Sequence, residues 1–188
     1  MIEFPRKPRA QLLPSAVMAM LIFVFTEVML FSGFISAFTI MRGSAVLWPP
    51  PGQPRLPIEE TAFNTALLVA SGAVLYFARR RFTSQPQSLR RWLMVTIVLG
   101  GSFVLLQGRE WAQMLGQGLT LRSSSLGSFF YLIVGMHALH AIVALGILIY
   151  AWVRLARSVP RNVLAAAEIF WYFVVGIWPI LYWRVYLS

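Results

Sequence analysis

Five long apolar runs, separated by short basic or proline-rich connections, set the pattern of this 188-residue chain. The first, residues 16–41, is almost wholly apolar over 26 positions. At ~1.5 Å rise per residue a helix of that length outreaches a hydrocarbon core of ~30 Å. The same pattern predicts further membrane-spanning helices at about 63–82, 92–114, 126–153 and 165–187. Residues 1–15 read as a basic arm kept extended by Pro5, Pro8 and Pro14, and 16–188 as a single domain. The connection from 42 to 62 is rich in proline. In it Trp48 is expected at the membrane interface, and Thr61 or Asn64 is a candidate cap for the second helix. The predicted fold is therefore all-α, an integral membrane bundle of five transmembrane helices.

Charge orients that bundle. Five spans put the termini on opposite sides. The arm and the connections after the second and fourth spans carry eleven Lys and Arg, against four on the other side. The positive-inside bias places the N-terminus in the cytoplasm and the C-terminus outside. The basic start fits the first part of a signal peptide, but the apolar run is too long and lacks a small-residue cleavage site, so it reads as an uncleaved span. No connection is long enough to fold a domain outside the membrane.

Composition narrows the chemistry. The chain is 59% hydrophobic and 12% charged, the balance of a membrane protein. It has no Cys and no Asp, which excludes disulfides, iron–sulfur clusters and thiol catalysis. The net charge of +10 comes from arginines that flank apolar spans, so it reports topology and not a nucleic-acid partner.

Few residues remain that carry chemistry. Glu27 lies 11 residues into the first run, ~16 Å along the helix and close to mid-membrane. A carboxyl there is costly unless it is neutral, paired or wetted, so it is a candidate proton-exchanging group. His137 and His140 are the two histidines and share a face of the fourth span at similar depth. Two histidines on one helix do not make a haem or metal site, and the expected role is hydrogen bonding between helices, with Glu27 a candidate partner. Arg109 and Glu110 fall near the end of the third span; as neighbours they cannot face each other, and each is expected to find its own partner or reach water. Glu168 is read as opening the fifth span, where a carboxylate suits the helix N-terminus. Small residues predict close helix contacts at Gly33-x-x-x-Ala37, Ala70 to Ala73, Gly100-Gly101 and Ala138, Ala141 and Ala144.

An ordered set of short motifs now resembles one family, subunit III of the haem–copper oxidases in its five-helix bacterial form. FTEVMLFSGFISAF in the first span is similar to the family's S/T-E-V-x-F-F-x-G-F-F-x-A-F. Trp48-Pro49-Pro50-Pro51-Gly52 resembles W-P-P-x-G, and Asn64-Thr65 with Leu67 to Gly72 resembles L-N-T-x-x-L-L-x-S-G. Leu106-Gln107-Gly108-Arg109-Glu110-Trp111 is similar to L-Q-x-x-E-[YW], and Gly135-Met136-His137-Ala138-Leu139-His140 to G-x-H-x-x-H. The resemblance implies an accessory subunit of the bacterial inner membrane that binds no haem, copper or other metal itself. It would pack beside the catalytic subunit I and subunit II, which hold those groups, with room for a larger respiratory supercomplex. It would carry phospholipid in the cleft of its helices, support sustained proton uptake, protect the oxidase from turnover inactivation and offer one route for oxygen. Glu27, matching the family's first-helix glutamate, would face the interior. With His137, His140, Glu110 and Arg109 it makes up the candidate proton-uptake and lipid-cleft residues.

The last helix departs from the family's W-H-F-V-D-x-x-W. Here Tyr172 and Val175 replace the histidine and the aspartate. That leaves room for a relative, the subunit III-like protein associated with nitric oxide reductases. Because electrons enter through other subunits, the donor can be cytochrome c, the expected one, or quinol, so subunit III of a quinol oxidase is a further alternative. Two more distant readings fare worse. A proton-coupled transporter would show broken helices or paired repeats, and an independent redox enzyme would need more histidines than two.

Overall fold

The computed structural model describes residues 14–48, 52, 54, 56–82, 84–155 and 161–187. Most of the basic arm, Pro49 to Pro51, Arg55 and the turn with Arg157 and Pro160 lie outside the described residues. The chain forms five α-helices: α1 (Ser15–Gly43), α2 (Ile58–Phe82), α3 (Pro86–Gly116), α4 (Ser125–Leu155) and α5 (Arg161–Tyr182). The last runs on into one π-helical turn, Trp183–Leu187. All five are long and apolar enough to cross a membrane, and no strand occurs among the described residues. This is a multi-pass membrane protein.

The helices start earlier than their apolar runs, and the reason is chemical. Glu59 and Glu60 occupy the first turn of α2, where carboxylates favour the helix N-terminus, so that helix begins at Ile58. Neither Thr61 nor Asn64 caps it; both lie inside it with buried side chains. Pro86 opens α3 with no amide hydrogen to strand, so Arg90 and Arg91 ride on the helix and not in the connection. At ~1.5 Å per residue the 31 residues of α3 and of α4 overrun a ~30 Å core, leaving their charged ends in the head-group region.

Inside a bilayer every backbone and hydroxyl group needs a partner within the chain. Accordingly Thr26, Ser32, Thr39 and Ser102 each return their hydroxyl hydrogen to a carbonyl three or four residues earlier, at 2.7–2.9 Å. Pro179 removes one amide donor from α5, and the helix widens into the π turn shortly afterwards.

Helix α5 is the centre of the bundle. It packs on α1, α2 and α4, while α3 closes the far side against α2 and α4. Its two fully buried tryptophans lock α5 to α2 by side-chain hydrogen bonds: Trp171 Nε1 donates to Ser71 Oγ at 3.2 Å and Trp178 Nε1 to Thr65 Oγ1 at 2.9 Å. Glycine makes room for them. A β-carbon on Gly100 would sit 2.5 Å from the Trp171 ring, and one on Gly72 would sit 2.8 Å from Val175 Cγ1. Ala141 and Ala144 are buried as well. Gly33 and Ala37 are not at such a contact: both are exposed, and nothing lies within 4 Å of a β-carbon on Gly33. Helix α1 is the most peripheral, burying only Val17, Phe31 and Phe38.

Candidate functional site

Polar side chains enter the bundle at three levels. The middle one joins α1 to α4. Glu27 stands 12 residues into α1, ~18 Å along it. Its Oε2 lies 3.0 Å from His140 Nε2, within ion-pair range although off the axis of a good hydrogen bond. The other ring nitrogen of His140 lies 2.6 Å from the Met136 carbonyl. A carbonyl only accepts, so Nδ1 carries a hydrogen and Nε2 is left to deal with the carboxyl group. One proton between Glu27 and Nε2 then gives a neutral pair or an imidazolium–carboxylate pair. Both forms hold a proton at mid-span with no net charge beyond the pair. The rings of Phe23, Phe31, Phe170 and Phe173 surround His140 at centroid distances of 5.5–6.4 Å. Glu27 keeps 14% of its side-chain surface exposed, so the pair is walled by aromatics yet open on the α1 side.

His137 does not join that pair. It is 1% exposed and stacks on Trp178 at 4.7 Å, with Phe31 and Phe103 edge-on. Neither of its ring nitrogens has a hydrogen-bond partner among the described residues. Its surroundings are those of an aromatic core residue. No group of three or more His, Asp or Glu that would hold a metal ion occurs among the described residues.

The second level is Glu110, turned inward and 3% exposed, whereas its neighbour Arg109 faces outward. Asn64 Nδ2 donates to Glu110 Oε1 at 2.5 Å, and Gln107 Nε2 to Oε2 at 2.8 Å. The Thr61 hydroxyl lies 2.9 Å from Oε2 and 2.7 Å from the Pro57 carbonyl, so its single hydrogen serves one of them at a time. Gln107 also reaches Tyr186 at 3.4 Å, which ties α2 and α3 to the end of the chain. This cradle is a structural knot with every carboxyl oxygen engaged. Its members Thr61, Asn64 and Gln107 were not among the residues expected to matter chemically, although Asn64 and Gln107 lie in two of the quoted motifs.

The third level is an ion pair that sequence reading did not find. Glu168 does not open the fifth helix; it lies two turns inside α5, where its Oε1 approaches Arg79 Nε of α2 to 2.6 Å. The last-helix departures are packing residues. Val175 lies against Gly72, and Tyr172 is half-buried beside the core.

Comparison with known proteins agrees with this geometry. The family described as "Cytochrome c oxidase subunit III" matches residues 13–188. A cytochrome c oxidase subunit 3 of Thermostichus vulcanus is 28% identical over 177 residues, 91% of this chain and 86% of that protein. A probable cytochrome c oxidase subunit 3 of Nocardia farcinica is 30% identical over 173 residues, 88% of this chain and 84% of the other. The cytochrome c oxidase subunit 3 of Pelomedusa subrufa is 34% identical over 179 residues, 89% of this chain but 67% of that longer protein.

Proposed function

Because this chain belongs to the cytochrome c oxidase subunit III family, we propose that it is the accessory, non-redox subunit of a respiratory haem–copper oxidase and that its working residues are the Glu27–His140 pair. The pair carries the reading. A carboxyl group at mid-span is expensive to keep, and here it is matched to an imidazole whose second nitrogen is already committed. With one shared proton the pair is neutral overall, which lowers the cost of keeping a carboxyl group deep in lipid, and each proton it takes up or returns changes its charge by one unit. It supports proton uptake by the catalytic subunit by buffering protons beside it and by holding the helices in register. Haem and copper belong to the partner subunits I and II. Phospholipid lies against the exposed side of α1 beside Glu27, whose side chain keeps 14% of its surface open. The N-terminus faces the bacterial cytoplasm, in keeping with eleven Lys and Arg on that side against four on the other.

The test is Glu27→Gln in the intact complex. Haem content and assembly should match the wild type, while the enzyme inactivates after fewer turnovers and takes up protons more slowly. Unchanged turnover kinetics together with an unchanged inactivation rate would remove Glu27 from the function. Purification without any haem-bearing partner would remove the subunit reading itself.

A further inference from the structure

At the basic end of the bundle α2 and α3 leave a groove of about 520 Å³ between them. Its walls are apolar. Val74, Phe77 and the buried Ala78 form one side, on a single face of α2, and Trp92 of α3 forms the other. Phe82 stacks on Trp92 at 6.2 Å with the rings 11° apart and closes the top. Arg80 and Arg81, in the last turn of α2, stand over the apolar part. Phe77 and Trp92 remain 67% and 43% exposed, which leaves the groove open along its length.

Among the described residues no carboxylate compensates the charge in this groove. Arg79 in the same turn is engaged by Glu168, but Arg80 points elsewhere: its Nη1 donates to Tyr76 at 2.9 Å, which fixes its direction and leaves its charge intact. Arg81 has no carboxylate beside it among the described residues. The acidic residues of this helix, Glu59 and Glu60, lie at its opposite end, ~30 Å away at 1.5 Å per residue. Two guanidinium groups at the height of the lipid head groups match phosphate oxygens through paired N–H donors. The apolar walls below them run in the direction of an acyl chain.

We propose that this groove binds one anionic phospholipid of the surrounding bilayer, its phosphate held by Arg80 and Arg81 and its acyl chain laid along Phe77, Val74 and Trp92. A zwitterionic lipid offers the same phosphate but brings an ammonium group that the two arginines repel, so the groove selects by charge. The inference stands apart from the subunit reading, which is decided by co-purification with haem-bearing partners, and from the lipid proposed beside Glu27, which lies on another helix.

Trp92 supplies the probe. The full chain in its detergent-solubilised complex is stripped of lipid and titrated with phosphatidylglycerol or phosphatidylcholine carrying brominated acyl chains. Tryptophan quenching is read against a Trp92→Phe control that removes the local signal. Trp92 should be quenched at a mole fraction of phosphatidylglycerol about fivefold lower than of phosphatidylcholine. Arg80→Gln with Arg81→Gln should erase the difference, and Arg80→Lys with Arg81→Lys should keep most of it. Equal quenching by the two lipids in the wild type would reduce the groove to ordinary lipid contact and overturn the proposal, whether or not the glutamine variant folds. Relief of phosphatidylglycerol quenching by inorganic phosphate would overturn it too, by showing a bare anion site.

Discussion

Replacing Glu110 separates two explanations of a buried carboxyl group: that its shape and acceptors matter, or that its charge does. In Glu110→Ala three neighbours lose their acceptor. Thr61 can fall back on the Pro57 carbonyl 2.7 Å away, but Asn64 and Gln107 are stranded in sites 2% and 4% exposed. A stranded buried donor costs about 1–3 kcal/mol, whereas hydrogen bonds inside membrane bundles average nearer 0.6 kcal/mol. An outward groove of about 370 Å³ that includes Asn64, Arg109 and Glu110 lets water reach the gap and trims the penalty. The balance is about 2–4 kcal/mol of destabilisation. Glu110→Gln should behave differently. The new amide oxygen takes the hydrogen bond from Asn64, and the new NH2 group faces Thr61 and Gln107. Thr61 then accepts while donating to Pro57. The Gln107 amide rotates to present its Oε1, which has no partner in the wild type. The rotation leaves only the Gln107 NH2 group stranded, in the place where Oε1 had no partner, so the cost should be about 1–2 kcal/mol, below that of Ala. Denaturant unfolding of the detergent-solubilised complex, followed by tryptophan fluorescence, reads both variants. Equal losses in Gln and Ala would show that the carboxylate charge itself is required and would refute the reasoning.

Gly100→Ala forces a β-carbon onto the ring of the immobile, hydrogen-bonded Trp171. It should cost about 1–3 kcal/mol in the same unfolding assay, while Gly146→Ala, which meets nothing within 4 Å, should be silent. His137→Ala should lose about 2–4 kcal/mol by opening a cavity under Trp178 without any change in haem or metal content by absorption and elemental analysis. His137→Phe should be neutral or stabilising, because it removes two ring nitrogens that have no partner; a loss as large as that of Ala would reveal one. Arg79→Leu leaves Glu168 without its cation and should cost about 3–5 kcal/mol, whereas Arg79→Leu with Glu168→Leu should recover most of that in thermal denaturation.

The five helices were legible because a bilayer demands continuous apolar helices, and runs such as 16–41 admit no other reading. Their starts were not, since Glu59, Glu60, Arg90 and Arg91 belong to the helices but not to the hydrocarbon. That Arg109 and Glu110 part company followed from ~100° of rotation between neighbours. Which of the two turns inward depended on where α2 presents Thr61 and Asn64. The Arg79–Glu168 pair joins residues 89 positions apart in different helices, and no local signal marks it. Gly33 and Ala37 show the converse error. Their spacing fits a helix contact, but α1 lies at the rim and turns them outward.

The two histidines show most clearly what packing adds to pattern. Spaced three residues apart, they differ by ~60° around α4, so the sequence gives them one face and one expected role. Helix α5 separates them. Trp178 covers His137, whose ring nitrogens meet no hydrogen-bond partner among the described residues, while Phe170 and Phe173 frame His140 and leave it facing Glu27. The proton exchange proposed above would require a route out as well as a holder, and a helix that buries only three side chains leaves Glu27 near the surface of the bundle. A tighter α1 would seal the pair and make it inert. In the proposed role the peripheral placement of that helix is thus part of the chemistry: the carboxyl has an imidazole on one side and an exposed edge on the other.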